Sequence, residues 1–175
     1  MSWGRWARAT SAIVMAVVAL GSSTRAADHV SGLITRTFTI VEDTDLTGDV
    51  VCDVASGTPC FAFGASGVQL RLNGFTITGK ADPNTGCSGG AFVNGENGIS
   101  TNGLHDVSVH GPGLVQRFRT HGVAVIGSRD VRVDSVTAST NCGAGVFVNA
   151  ASFDTLVEGV TAIRNGSTGA TCGGI

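Results

Sequence analysis

Three titratable side chains recur at one interval: His110, Asp134 and Glu158, each 24 residues after the last. Brought side by side, they would form a column with about 5 Å between neighbours. A carboxylate pair near that separation is what retaining glycoside chemistry uses, with one group as nucleophile and the other as acid. A solvated column of mixed polar residues is the plainer reading of the same spacing. Asp106, Asp130 and Asp154 form a second series at the same interval. Stacked about 4.8 Å apart, like charges repel by roughly 1 kcal/mol per pair even in water. A hard cation such as Ca²⁺, held by carboxylate oxygens, would relieve that repulsion. The alternative is that each Asp caps its own turn by accepting backbone N–H bonds. Arg117, Arg119 and His121 suit either a small anion-binding edge or a solvated turn. The sequence has no phosphate loop, zinc-ligand spacing or nucleophile elbow.

The elements that must position these residues carry the same period. Asp106-Val-Ser-Val109, Asp130-Val-Arg-Val133 and Asp154-Thr-Leu-Val157 align at 24 residues, and each is preceded by a second short run, Gly98-Ile-Ser-Thr101, Gly122-Val-Ala-Val125 and Gly145-Val-Phe-Val148. Two short β-rich runs per repeat, joined by Gly, Asn, Asp and Ser, leave no room for a crossover helix, so each repeat reads as one turn of a parallel coil. The expected inward columns are Ile99, Val123 and Val146; Val107, Val131 and Thr155; Val109, Val133 and Val157; and Leu114, Ala138 and Ala162. Ser108, Arg132 and Leu156 then face outward, and Asn141 and Asn165 read as a stacked turn ladder. A looser copy runs from Ser66 to Gly79, Lys80 to Asn97 reads as an inserted loop, and Thr37 to Val51 reads as the first, partial turn and N-terminal cap.

Composition agrees with strands and turns: glycine is abundant (26) and proline rare (3). The N-terminus carries Arg5 and Arg8, then the apolar run Ala12 to Leu20, then Thr24 and Ala26 before a cut after residue 26. That is the layout of a signal peptide over 1–26. Nine apolar residues span only about 14 Å as a helix, too little for a stable membrane anchor. Cleavage removes three of the 11 basic residues and no acid, so 8 basic residues face 13 acidic ones, a formal charge of −5. Nucleic-acid binding is not indicated by such a balance. The expected location is secreted or periplasmic, with one domain over 27–175. Five cysteines in an exported chain imply disulfides. Cys52 and Cys60 flank a turn-rich stretch that lets them meet. Cys142 and Cys172 both open a turn of the coil and are expected to bond across it, which leaves Cys87 unassigned. Asn165-Gly-Ser167 matches a glycosylation sequon.

The runs VQLRLNGFTITG, VSVHGPGLVQRF, GVAVIGSRDVRVDSVTASTNCGAGVFV and VEGVTAIRNG resemble the secreted right-handed parallel β-helix repeat proteins of the pectin-lyase-like superfamily, over about Ile34 to Ile175. The resemblance implies an all-β solenoid of about four to five turns. It does not imply one activity, since the superfamily holds polysaccharide lyases, glycoside hydrolases, epimerases, phage tailspikes and members without assigned activity. Its lyases use a calcium-binding carboxylate cluster with a basic proton acceptor, and no segment here matches one. Its polygalacturonases use paired Asp with Gly-His-Gly, which Val109-His-Gly-Pro-Gly113 departs from. Cys172-Gly-Gly-Ile175 repeats the entry to a turn, so the coil is expected to be incomplete at its C-terminal end. Two functions follow. One is an exported scaffold, or a surface for polysaccharide or cell-envelope glycan, without a catalytic site. The other is the N-terminal part of a polysaccharide-active lyase, hydrolase or epimerase. An open last turn also predicts end-to-end self-association.

Overall fold

A computed structural model describes residues 27–81, 92–149, 151–166 and 174–175. Among them the chain forms strands and turns and no helix. The strands are β1 (Asp28–Ile34), β2 (Phe38–Ile40), β3 (Thr44–Cys52), β4 (Phe61–Phe63), β5 (Gln69–Arg71), β6 (Thr76–Thr78), β7 (Ile99–Asn102), β8 (His105–Gln116), β9 (Val123–Ile126), β10 (Arg129–Ser139), β11 (Val146–Val148), β12 (Phe153–Glu158) and β13 (Thr161–Ile163). A large sheet runs β1-β3-β5-β8-β10-β12, with β6 joining β3 to β8 and β13 attached to β10. A smaller one runs β2-β4-β7-β9-β11. Every pairing is parallel. The chain passes back and forth between the sheets, and it pairs each strand with one from an earlier passage rather than with its neighbour in sequence. The putative signal segment of the sequence reading, residues 1–26, lies outside the described residues.

The apolar columns hold this arrangement together. Val107 pairs with Val131 and Val131 with Thr155; Val109 pairs with Val133 and Val133 with Val157. Ile99, Val123 and Val146 stand in register in the small sheet and are at most 1% exposed. Each such side chain contributes roughly 1.5 to 3 kcal/mol on burial. The fourth expected column is wrong by one residue. Leu114 pairs with Thr137, and it is Val115 that stands beside Ala138 and Ala162. The cause is a β-bulge: Gly111 and Pro112 together oppose Ser135, so an offset of 24 before the bulge becomes 23 after it. Gly111 fits only because it lacks a side chain, since a Cβ there would lie 1.9 Å from the Ser135 carbonyl oxygen.

The N-terminal boundary is also corrected. The first strand is β1, which pairs with β3 along Asp28↔Thr44 to Ile34↔Cys52, so the sheet begins before Thr37. Residues 82–91 of the expected insertion lie outside the described residues. Its end is fastened to the sheet by Val93 N donating to Arg119 O (2.9 Å) and Cys60 N donating to Asn97 O (2.9 Å). The asparagine ladder is present: the Asn165 side-chain oxygen accepts from both Asn141 N and Asn141 Nδ2 (3.0 Å each), and the Asn141 oxygen accepts from Phe118 N (3.0 Å). Asn165 Nδ2 donates to Ala138 O (2.9 Å), so the sequon asparagine is spent on the fold.

Candidate functional site

The outer face of the large sheet carries a polar column longer than its sequence period shows. In register, it runs His29, Asp45, Arg71, His110, Asp134, Glu158. Alternation puts these residues on the face opposite the valines. Two hydrogen-bonded groups divide it. In the first, Arg71 Nη1 donates to Asp45 Oδ1 (2.8 Å) and Nη2 to Asp43 Oδ2 (3.3 Å), while Gln69 Nε2 donates to Asp43 Oδ2 (2.7 Å). In the second, His110 Nδ1 and Arg132 Nε both meet Asp134 Oδ2, at 2.6 and 2.9 Å, and Arg132 Nη2 continues to Glu158 Oε1.

The register therefore brings His110, Asp134 and Glu158 together. Burial alone would push the Asp134 carboxyl up, but the hydrogen bonds and charges of Arg132 and His110 outweigh it and hold its pKa below the usual value. A carboxyl held in its ionised form is a poor general acid near neutral pH. The Arg132 guanidinium is in turn raised, first by its bond to Asp134. Sequence spacing found three of these residues. Arg132 was legible as an outward neighbour, but Asp43, Asp45, Gln69 and Arg71 were missed because their offsets depart from 24.

Asp106, Asp130 and Asp154 are exposed and share a left-handed backbone, with φ of 53°, 52° and 52°. Asp tolerates that region far better than β-branched or bulky residues do. Among the described residues no backbone N–H donates to these carboxylates, and no group of three or more His, Cys, Asp or Glu is placed to hold a metal ion. Asp106 instead meets His105 Nδ1 (2.8 Å) and Asp130 meets Arg129 (3.5 Å). The backbone conformation at each corner accounts for the periodic Asp.

The cationic group is dispersed. Arg119 forms a two-pronged ion pair with Glu96 (2.9 and 2.6 Å), whose side chain is buried, and that bond raises the guanidinium pKa. Arg117 Nε donates to Ala81 O (2.8 Å). His121 accepts from Ala144 N at Nδ1 (2.9 Å) and stacks on Phe147 with centroids 4.3 Å apart, and burial lowers its pKa. Glu96 was not legible because its partner is reached only through the inserted segment.

Cys52 and Cys60 are disulfide-bonded, with Cα atoms 5.8 Å apart, which points to an oxidising compartment. Cys142 is also disulfide-bonded, and its partner lies outside the described residues, where both Cys87 and Cys172 fall. No helix among the described residues is long and apolar enough to cross a membrane. No family model matches the chain, and neither a curated protein nor a solved structure is significantly similar to it. The structure defines an all-β protein of parallel sheets.

Proposed function

We propose that the mature chain is an exported right-handed parallel β-helix of the pectin-lyase-like kind that presents its large sheet as a non-catalytic contact surface for polysaccharide or cell-envelope glycan. The parallel pairing, the passage between two sheets and the 24-residue period support the coil, and parallel crossovers are right-handed in about 98% of cases. The observation that carries the contact reading is the polar column from His29 to Glu158, whose central members are spent on one another. Such a lattice is rigid, flat and polar, which suits recognition of hydroxyl-rich chains better than proton transfer. The signal segment and the disulfide support export. The test is glycan-array binding by residues 27–175, beside assays for reducing ends and for unsaturated uronate products. Binding without turnover is expected; turnover abolished by Asp134→Asn would sink the non-catalytic reading.

One observation favours the enzyme as a second reading. The bond from His110 Nδ1 to Asp134 orients the imidazole and leaves Nε2 without a partner among the described residues, an arrangement compatible with a general base. Loss of turnover in His110→Gln, with the fold intact, is the result that would favour it.

A further inference from the structure

Ser108 is the one small residue in an outward series of long ones. In register, the series reads Gln69, Ser108, Arg132, Leu156. Where Ser108 stands, the face sinks into an open depression of about 270 Å³ lined by Asp43, Gly67, Val68, Gln69, Asp106 and Ser108. That is near the lower end of the volumes that hold small ligands, so it suits a single ring better than a chain. Gly67 leaves its rim clear: a Cβ there would meet nothing within 4 Å.

The lining differs from the neighbouring column in what remains unspent. Asp43 accepts from Gln69 N (3.2 Å), Gln69 Nε2 (2.7 Å) and Arg71 (3.3 Å), so its charge is balanced within the wall. The Ser108 hydroxyl has no hydrogen-bond partner among the described residues. Gln69 uses its amide nitrogen on Asp43, which leaves its oxygen directed to no described donor. Asp106 engages one carboxylate oxygen with His105 and keeps the other. Acceptors therefore outnumber donors around the depression. An anionic ligand would meet two carboxylates and no free cation in the lining, whereas a neutral ligand bringing several O–H donors would satisfy the acceptors present.

We infer that this depression is a subsite for one neutral, hydroxyl-rich ring, a sugar residue of an uncharged glycan. The inference rests on the glycan-contact reading and narrows it to one place and one ligand class. Ser108 creates the site by being small, and the fold itself shows that larger residues are accommodated at this series, since Arg132 and Leu156 occupy the adjacent positions.

The test is calorimetric titration of residues 27–175 with hexamers of glucose, mannose and xylose and with trigalacturonate. The proteins are the unaltered chain, Ser108→Leu, which fills the depression, and Asp106→Asn, which keeps a residue suited to φ of 53° while removing the charge. A third variant, Arg71→Ala, alters the face beside it. Circular dichroism melts confirm folding. Expected are binding of at least one neutral hexamer, a loss of about tenfold or more in Ser108→Leu, equivalent to roughly 1.4 kcal/mol, and a smaller loss in Asp106→Asn. Unchanged affinity in Ser108→Leu together with a loss in Arg71→Ala would overturn the subsite and leave the contact face standing. Preference for trigalacturonate would overturn the neutral class. Binding of no glycan by any of the proteins would overturn both readings.

Discussion

At the scale of single residues, protonation sets two acid-sensitive windows. His121 is held neutral by burial and by accepting from Ala144 N. Its folded pKa is depressed, so below about pH 6.5 the unfolded chain binds the proton more readily, and stability is lost as pH falls from there. Asp134 has a depressed folded pKa too, but as an acid. It contributes stability above its unfolded pKa of about 3.9, and that contribution is lost as pH falls through the lower folded value. Melting midpoints between pH 8 and pH 3 should therefore fall in two stages. His121→Gln, which keeps an acceptor, should flatten the upper stage, and Asp134→Asn should flatten the lower one while costing about 1 to 3 kcal/mol at neutral pH. A corner Asp answers to a different constraint. With φ near 52°, Asp130→Asn and Asp130→Gly should change stability by only a few tenths of a kcal/mol, whereas Asp130→Val should cost about 1 to 2 kcal/mol. Millimolar Ca²⁺ should leave the midpoint where it is. A clear rise that Asp130→Asn removes would return these carboxylates to a cation.

Strands and corners obey a steric rule that the sequence states openly. Gly98, Gly122 and Gly145 each open a strand of the small sheet, and a Cβ on Gly98 or Gly122 would lie 2.6 Å from the carbonyl oxygen of the next glycine in the series. Gly122→Ala must push two strands apart, and a loss of about 2 kcal/mol or more in chemical denaturation is expected. Their spacing made the series readable. Three of the four inward columns were readable for the same reason, because valine against valine repeats at one offset. The fourth was misplaced since nothing in Gly111-Pro112 announces that two residues will oppose one. Cys52 and Cys60 were legible because the chain between them is short and rich in turn residues. Removing both should cost about 2 to 3 kcal/mol by the loop-closure relation. For Cys142, peptide mapping without reduction should recover a link to Cys172. Gly145 N donates to Gly174 O (2.8 Å) as Gly122 N donates to Ala144 O (3.1 Å), so Gly174 answers to Ala144 and Cys172, two residues earlier, answers to Cys142. A Cys142 to Cys87 link would overturn that correspondence.

Across the whole molecule, the two ends of the sheets differ in character. On the outermost strands β11 to β13, Val148, Phe153, Leu156 and Ile163 are exposed, and Thr155 and Val157 are only half-buried where Val131 and Val133 are fully covered. The Thr155 hydroxyl is buried without a hydrogen-bond partner. At the opposite edge, Asp28 stands in register with the inward Thr44, a charge placed where another strand would have to pack. Self-association should accordingly proceed through the β12 edge. Light scattering on residues 27–175 is expected to show mass rising with concentration, and Leu156→Lys should suppress the rise; a strictly monomeric chain would count against it. The constant offset between β10 and its neighbours has a genetic consequence as well. Since residues on β12 match those on β10 at a fixed distance along the chain, the architecture can lengthen by duplication of one whole repeat without disturbing any existing contact. Additions of any other length must be diverted into a corner, where the inserted segment between β6 and β7 lies. Such a molecule evolves in quanta: its size is set by copying, and its specificity by the few outward positions, such as Ser108, at which the copies differ.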